Sequence, residues 1–166
     1  MIFAKEIMVT SFDTVNAKEP VETAIKMIFR GKTRETGDKT TSLMVVDDHN
    51  RFVGIVTMFD ILYHLRPGFL NYGVDGKDVS WIGLVTTCKK ELVKKTIQEI
   101  MSAEVIGAAP DEHLMTILDR MVKNKYHRLP VLEDGRLLGV VYIADIYFHL
   151  FARKGLVNTR HGMVTS

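Results

Sequence analysis

The 166-residue sequence predicts an α/β protein made of two similar β-α-β-β-α halves. The stretch GIVTMFDILYHL, residues 54–65, recurs as GVVYIADIYFHL at residues 139–150, with six of the twelve positions identical. An amphipathic helical face precedes each copy, and two short apolar runs of strand character follow that face. Because the same elements recur in the same order, we expect two structurally equivalent units.

The helix and the strands of each half follow from the spacing of apolar residues. Apolar side chains between Val21 and Phe29 fall at i, i+3, i+4, i+7 and i+8, and the face from Leu114 to Val122 repeats them 93 positions later. The runs SLMVV and FVGIV, like RLPVL and LLGVV, predict paired strands joined by the turns DDHN and EDG. The offset falls to about 86 at the strands, so GKTRETGDKT contains an insertion of about seven residues, which we predict to be a surface loop.

The repeat divides the chain into predicted segments. These are a first repeat at residues 1–65, a linker at 66–95, a second repeat at 96–151 and a C-terminal tail at 152–166. The triplet EIM also occurs in both repeats, at residues 6–8 and 99–101. In the linker, RPG stops the preceding helix, and we expect Trp81 to dock against one half.

Composition excludes several classes of protein. No apolar run approaches the roughly 18 residues of a membrane span, and Lys5 and Glu6 interrupt the region where a signal peptide is apolar. We therefore expect a cytoplasmic protein. The single Cys88 can form no internal disulfide and has no neighbours at zinc-ligand spacing. A net charge of +2 offers no large field for nucleic acid, so a nucleic-acid partner is not expected.

The repeated aspartate has two interpretations. Thr57 precedes Asp60 by three residues, the spacing of a capping box at a helix start. Alternatively, a carboxylate beside a helix N-terminus can accept hydrogen bonds from ribose hydroxyls while the helix end faces phosphate. In the second copy Tyr142 replaces the threonine and Asp145 stays, which favours a separate task for the aspartate.

The segment KYHRLPVL, residues 125–132, carries two groups that could bind an anion. His127 and Arg128 lie just before a predicted strand, and Pro130 indicates an edge or first-residue position in it. Such a pair is either solvated surface or, through the planar arginine fork, a grip on phosphate.

The chain resembles a tandem pair of CBS domains, or Bateman module. The resemblance rests on four features together: the EIM triplets, the amphipathic helices, the HRLPV strand and the GhhTxxD pattern of GIVTMFD, in which h is apolar. HRLPV and GIVTMFD are similar to their counterparts in the gamma subunit of AMP-activated protein kinase. The resemblance covers residues 6–65 and 98–151. It implies that two pseudo-symmetric repeats pack sheet to sheet and leave two clefts for adenosine-containing ligands.

The resemblance also implies roles for individual residues of the first cleft. By position, Asp60 would bind the ribose hydroxyls and Thr57 the ribose or the phosphate. The adenine would be enclosed by Ile55, Val105 and Ile106. His127 and Arg128 of the other half would bind the phosphate.

The second cleft has weaker candidates. Asp145 could bind a ribose there, but Tyr142 replaces the usual hydroxyl residue. Thr41 and Ser42 stand where the first cleft has His127 and Arg128, and they bring no charge. We expect one competent cleft and one weaker cleft, although three cations of the insertion could compensate if it folds over the second cleft: Lys32, Arg34 and Lys39.

These features predict a regulatory module that binds AMP, ADP or ATP, with S-adenosylmethionine as a further candidate. The resemblance implies a homodimer through the helices that carry DILYHL and DIYFHL, acting on an effector protein in another chain. The alternative is a ligand-free dimerisation or interaction scaffold with degenerate clefts. A third hypothesis is an enzyme or RNA binder that acts through His127 and Arg128.

Enzyme activity and a metal site are not expected. No activated nucleophile or paired acid and base can be recognised in the sequence. GKT at residues 31–33 is not a P-loop, because Lys26 stands where that pattern needs glycine. His64 and His149 each follow an aspartate by four residues, a spacing that supports a helix or packing more readily than a metal.

Overall fold

The computed structural model describes residues 1–31, 33–34, 39–72 and 80–152. Over these residues the strands are β1 (Thr14–Asn16), β2 (Ser42–Val46), β3 (Phe52–Thr57), β4 (Arg128–Glu133) and β5 (Arg136–Tyr142). The helices are α1 (Ala4–Ile7), α2 (Val21–Phe29), α3 (Met58–Leu65), α4 (Trp81–Lys94), α5 (Ile97–Ile100), α6 (Leu114–Asn124) and α7 (Ile143–Phe151), with a 3₁₀ turn at Gly68–Tyr72.

The first repeat is a three-stranded sheet with two helices on it. Its strand order is β1-β2-β3, with β1 parallel to β2 and β2 antiparallel to β3. Helices α2 and α3 contact each other, and α2 also packs on β2. The apolar face that starts at Val21 enters a core with Leu43, Val45 and Val56. The predicted order of strand, helix, two strands and helix is confirmed.

The second repeat is a β4-β5 hairpin covered by α6 and α7, and its predicted first strand is reduced to one backbone bridge. The Ala108 N–H donates to the Pro130 carbonyl at 2.8 Å, and the Ala108 carbonyl accepts from the Leu132 N–H at 2.8 Å. The next residue whose N–H would face β4 is Pro110, and because proline has no N–H to donate, the ladder stops there. The prediction of a first strand in this repeat was therefore wrong beyond a single residue.

The hairpin turn has the chemistry expected of EDG. Asp134 and Gly135 both have positive φ, 51° and 78°, between the paired residues Glu133 and Arg136. Two consecutive positive φ values are what a two-residue type I′ hairpin requires, and glycine adopts them without a side-chain clash.

The two sheets pack against each other. Met44 and Ile55 of the first sheet and Val140 of the second form one buried cluster, with Val105 and Tyr142 packed against it. The sheet-to-sheet arrangement implied by the family resemblance is confirmed, and the interface between the repeats is apolar.

Two short segments are exchanged between the repeats. Ala4 of α1 is buried in the core of the second repeat, and its N–H donates to the Glu112 carbonyl at 2.9 Å. Ile97 and Ile100 of α5 are buried in the core of the first repeat, where the Ile97 N–H donates to the Glu19 carbonyl at 2.9 Å. The segment that opens each repeat in sequence therefore completes the other repeat in space.

The repeated EIM triplet and the repeated glycine meet in this exchange. A side chain on Gly54 would lie 2.8 Å from Met101 Sδ, and one on Gly139 would lie 2.7 Å from Met8 Sδ. A backbone bridge lies next to each of these contacts. Ile55 pairs with Ser102 beside the first, and residue 9 pairs with residue 140 beside the second. Each methionine thus occupies the space that the glycine of the other repeat leaves open.

The linker contributes a helix to the first repeat. Helix α4 packs on α2 and α3, and Leu92 is buried in the first core. Trp81, which we expect to dock against one half, is 38% exposed and belongs to neither core among the described residues; it lies beside Phe69, with 6.3 Å between ring centroids. Residues 73–79 of the linker and 153–166 of the predicted tail lie outside the described residues. Among the helices of the described ranges, none combines the length and apolar character needed to cross a bilayer.

A half-buried ion pair on the second repeat predicts a pH dependence of stability. Arg120 bonds to Glu112 Oε2 at 3.1 Å and to the Gly107 carbonyl at 2.8 Å. The hydrogen bond from Arg120 lowers the pKa of the Glu112 carboxyl below its ordinary value. A carboxyl group whose pKa is lower in the folded than in the unfolded protein contributes to stability at any pH above its unfolded pKa. That contribution is lost as the pH falls through the pKa of the folded protein.

We expect Glu112→Gln to lower the free energy of unfolding by about 1 kcal/mol at pH 7. The difference from the unsubstituted protein should shrink as the pH falls below about 4.3, measured by urea unfolding across pH. Asp119→Asn is the matched control, because the ion pair of Asp119 with Lys123 is solvent-exposed and should matter little. An equal loss at pH 7 and at pH 3 would contradict the assignment.

Candidate ligand-binding clefts

The aspartate of the first cleft caps helix α3. The Asp60 N–H donates to Thr57 Oγ1 at 3.1 Å, and Asp60 Oδ2 accepts from the Thr57 N–H at 2.9 Å and from its hydroxyl at 3.0 Å. Asp60 Oδ1 accepts from the Ser102 hydroxyl at 3.2 Å. The capping box foreseen from the Thr57 and Asp60 spacing is therefore formed, and Asp60 also links the two repeats through Ser102.

Ser102 is the residue of this cleft that sequence reasoning missed. Its signal in the sequence is its position directly after the second EIM triplet. The antiparallel bridge between Ser102 and Ile55 explains why a residue at that position reaches the end of β3.

The other predicted residues of the first cleft are distributed between the interface and the surface. Ile55 is buried and Val105 is packed between the sheets, while Ile106 and His127 are exposed. Arg128 begins β4 and is half-buried, and its Nε has no hydrogen-bond partner in the described part of the chain.

Arg128 connects the two clefts electrostatically. Burial lowers the pKa of the Arg128 guanidinium, and the positive charge of Arg34 acts in the same direction. The negative charges of Tyr142, when ionised, and of Asp60 act in the opposite direction and raise the pKa of Arg128. The structure thus brings Arg128 of the second repeat within electrostatic range of Asp60 of the first.

The second cleft contains a cavity of about 590 Å³. Its wall is formed by the N-terminal segment, the insertion, β2 and the start of α7. The residues that carry polar groups or rings on this wall include Thr10, Ser11, Phe12, Asp13, Thr33, Arg34, Ser42, Tyr142, Asp145, Phe148 and His149.

The insertion supplies a cation to this cleft. Arg34 Nη2 forms an ion pair with Asp145 Oδ2, and the Arg34 guanidinium carbon lies 3.6 Å from the centroid of the Tyr142 ring. Lys39 lies away from the cleft, because it donates to the Phe29 carbonyl at 2.9 Å. Lys32 lies outside the described residues. The insertion, predicted to be a surface loop, therefore sends one of its charged side chains inward.

Asp145 differs from Asp60 in what it binds. Tyr142 precedes α7 as its N-cap residue and makes no side-chain cap hydrogen bond, so Asp145 takes part in no capping box. Its carboxylate instead pairs with Arg34 in a setting where the two side chains are 18% and 13% exposed. Burial is the main cause that raises the pKa of the neighbouring Tyr142 hydroxyl.

Two polar atoms of the cavity wall have no hydrogen-bond partner in the described part of the chain. These are Ser42 Oγ, on a residue that is 3% exposed, and His149 Nε2. Thr41, the other residue predicted here, uses its carbonyl to accept from the Met58 N–H at 2.9 Å. Buried polar atoms are nearly always paired, so two such atoms without a partner in one region are unusual.

The two repeated histidines do not form a metal site with their aspartates. His64 Nδ1 lies 2.9 Å from the Asp60 backbone oxygen and not from its carboxylate. Across the described ranges, no cluster of three or more His, Cys, Asp or Glu residues has the arrangement to hold a metal ion.

The sequence model of the CBS domain family matches residues 4–67 and 97–152. The chain belongs to the CBS domain family. The CBS domain pair of protein MJ0100, solved in complex with 5′-methylthioadenosine and S-adenosyl-L-methionine, is 24% identical with a TM-score of 0.63, over 92% of this chain and 98% of that one. CBSX2 in complex with AMP is 19% identical with a TM-score of 0.68, over 93% of this chain and 99% of that one.

One curated relative has a longer chain. Protein MJ1225 of Methanocaldococcus jannaschii is 25% identical over 141 residues, which cover 85% of this chain and 40% of the relative. The chain spans about half or less of the curated relatives that it matches first.

Proposed function

We propose that this CBS pair is a regulatory module that binds an adenosine-containing ligand, AMP, ADP or ATP, between its repeats. The observation that carries the proposal is the cavity of about 590 Å³ with Asp145 at its wall, beside a cation and an unpaired buried hydroxyl. This volume lies within the roughly 300–1,000 Å³ that small-molecule sites occupy.

The chemistry of the wall suits a nucleotide. A carboxylate accepts hydrogen bonds from the two hydroxyls of a ribose, and arginine binds phosphate oxygens through its planar fork. Proteins with the same fold, the MJ0100 pair and CBSX2, were solved with adenosine-containing ligands, which supports this ligand class for the fold.

Each cleft has a separate argument in its favour. By position, the first cleft has Thr57, Asp60, His127 and Arg128, the set that the family resemblance associates with ribose and phosphate. The cavity, in contrast, lies in the second cleft with Asp145. We propose that both aspartates be tested as ribose ligands.

Binding in the first cleft would have a direct route to a signal. Asp60 Oδ1 is bonded to Ser102, so a ribose hydroxyl that takes this oxygen breaks a hydrogen bond between the repeats. Ligand binding then favours whichever arrangement of the repeats compensates for that loss.

Ligand binding could also be signalled through a change in the association of two copies of the chain. Helices α3 and α7 expose large apolar side chains: Phe59, Leu62 and Tyr63 on α3, and Tyr147, Phe148 and Phe151 on α7. We propose that a homodimer covers these faces and that the regulated effector protein is a separate chain.

A ligand-free scaffold is the second candidate function. It is favoured by the state of the two aspartates, because Asp60 is bonded to Thr57 and Ser102 and Asp145 is paired with Arg34 without any ligand. Under this alternative the clefts hold the repeats together and bind nothing.

Thermal unfolding with AMP, ADP, ATP, S-adenosylmethionine and an adenine dinucleotide separates the two candidates. A ligand at a hundred times its dissociation constant stabilises the fold by about 2.7 kcal/mol, a shift of several degrees in Tm. If a ligand acts, loss of its shift in Asp60→Ala assigns the first cleft, and loss in Asp145→Ala assigns the second. If none of the five ligands shifts Tm, the scaffold is the better description.

A further inference from the structure

We propose that Arg34 makes the second cleft selective for phosphorylated adenosine ligands by exchanging Asp145 for the phosphate of the ligand. The inference rests on the proposed function, since it requires that an adenosine-containing ligand enters this cleft. It adds the residue that makes the second cleft prefer a phosphorylated ligand over a neutral nucleoside, and the ion pair through which that residue acts.

The ion pair between Arg34 and Asp145 is the central observation. Arg34 comes from the insertion that distinguishes the first repeat from the second, and its guanidinium carbon lies 3.6 Å from the centroid of the Tyr142 ring. With 13% and 18% of the side chains exposed, the pair is largely shielded from water. Separating a shielded pair and leaving one charge without a partner is unfavourable.

A ribose bound to Asp145 competes with Arg34 for the same carboxylate. A neutral nucleoside offers Arg34 no charged replacement, so its binding is opposed by the lost ion pair. Among the described residues two other carboxylates line the cavity, but Glu6 is bonded to the Phe3 N–H at 2.7 Å and Asp13 is exposed. A pair with an exposed carboxylate recovers little of the loss.

A phosphate removes this opposition. It offers Arg34 a charged acceptor that matches the geometry of the guanidinium fork while the ribose hydroxyls take Asp145. The positive charge of Arg128, which acts on that of Arg34, also favours an anion over a neutral ligand.

Calorimetric titration with AMP and with adenosine tests the inference directly. We expect the unsubstituted protein to bind AMP at least ten-fold more tightly than adenosine. Arg34→Gln should bind AMP more weakly and adenosine equally or more tightly, so that most of the preference is lost. Arg34→Lys, which keeps the charge and loses the fork, should retain an intermediate preference and serves as the second variant if Arg34→Gln does not fold.

Lys39→Gln is the matched control, because it removes one positive charge from the same insertion at a side chain that bonds to the Phe29 carbonyl instead. It should keep the full preference for AMP. Thermal unfolding without ligand checks that every variant is folded.

Three results would overturn the inference and leave the proposed function standing. They are equal affinity of the unsubstituted protein for AMP and adenosine, an unchanged preference in Arg34→Gln, and AMP binding that Asp145→Ala leaves intact. If neither adenosine nor AMP binds, ADP and ATP are titrated in the same way, and failure of all four ligands overturns the proposed function and the inference with it.

Discussion

Leu92→Ala is expected to lower the free energy of unfolding by about 3 kcal/mol, the cost of truncating a buried leucine in a packed core. Leu92 is 4% exposed and lies in the core of the first repeat, although it belongs to the linker. Its helix, α4, packs on α2 and α3. The truncated side chain would leave a cavity where the linker docks.

Ile82→Ala on the same helix is the control, because Ile82 is 89% exposed and its truncation leaves no cavity. Urea unfolding of the two variants measures the difference. Equal, small effects of both substitutions would show that α4 is not docked on the first repeat.

Gly54→Ala should lower the free energy of unfolding. The loss should lie near the upper end of the range of about 1–3 kcal/mol that is typical of overpacking. The added Cβ would meet Met101 Sδ at 2.8 Å and the Ser102 carbonyl oxygen, also at 2.8 Å. That carbonyl accepts from the Ile55 N–H at 3.0 Å, so it cannot move away without breaking the bridge between the repeats.

Gly139→Ala, the equivalent change in the other repeat, should cost clearly less. Its Cβ would meet Met8 Sδ at 2.7 Å and Cγ at 2.8 Å, which another rotamer can move away, and Met8 Cβ at 3.0 Å, which must shift slightly with its backbone. Differential scanning calorimetry of both variants compares them. A larger loss for Gly139→Ala would mean that the backbone contact at Ser102 does not determine the cost.

The sequence was sufficient to predict the main helices and the paired strands of each repeat because apolar spacing and turn residues are local signals. The helix from Val21, the paired strands and the turn at Asp134 all follow from such signals. The exchange of segments could not be predicted in the same way. EIM and the repeated glycine were both visible in the sequence, but their contact joins residues such as Met8 and Gly139, which only the packed repeats bring together.

The candidate clefts show the same limit. The capping box of Thr57 and Asp60 depends on a spacing of three residues and was foreseen. The partner of Asp60 across the interface, Ser102, depends on how the repeats pack. The inward position of Arg34 depends on the path of an insertion without periodicity, so the sequence could indicate a positive charge and not its destination.

The exchanged segments also set the order in which this chain can fold during synthesis. The first core closes once Ile97 and Ile100 have emerged, using residues that follow one another along the chain. Ala4 and its neighbours find their partners only as the second repeat is made, from Glu112, which bonds to the Ala4 N–H, to Val140, which forms the bridge with residue 9. The closing step of folding therefore joins the most distant parts of the described chain, the kind of contact that loop entropy makes slow.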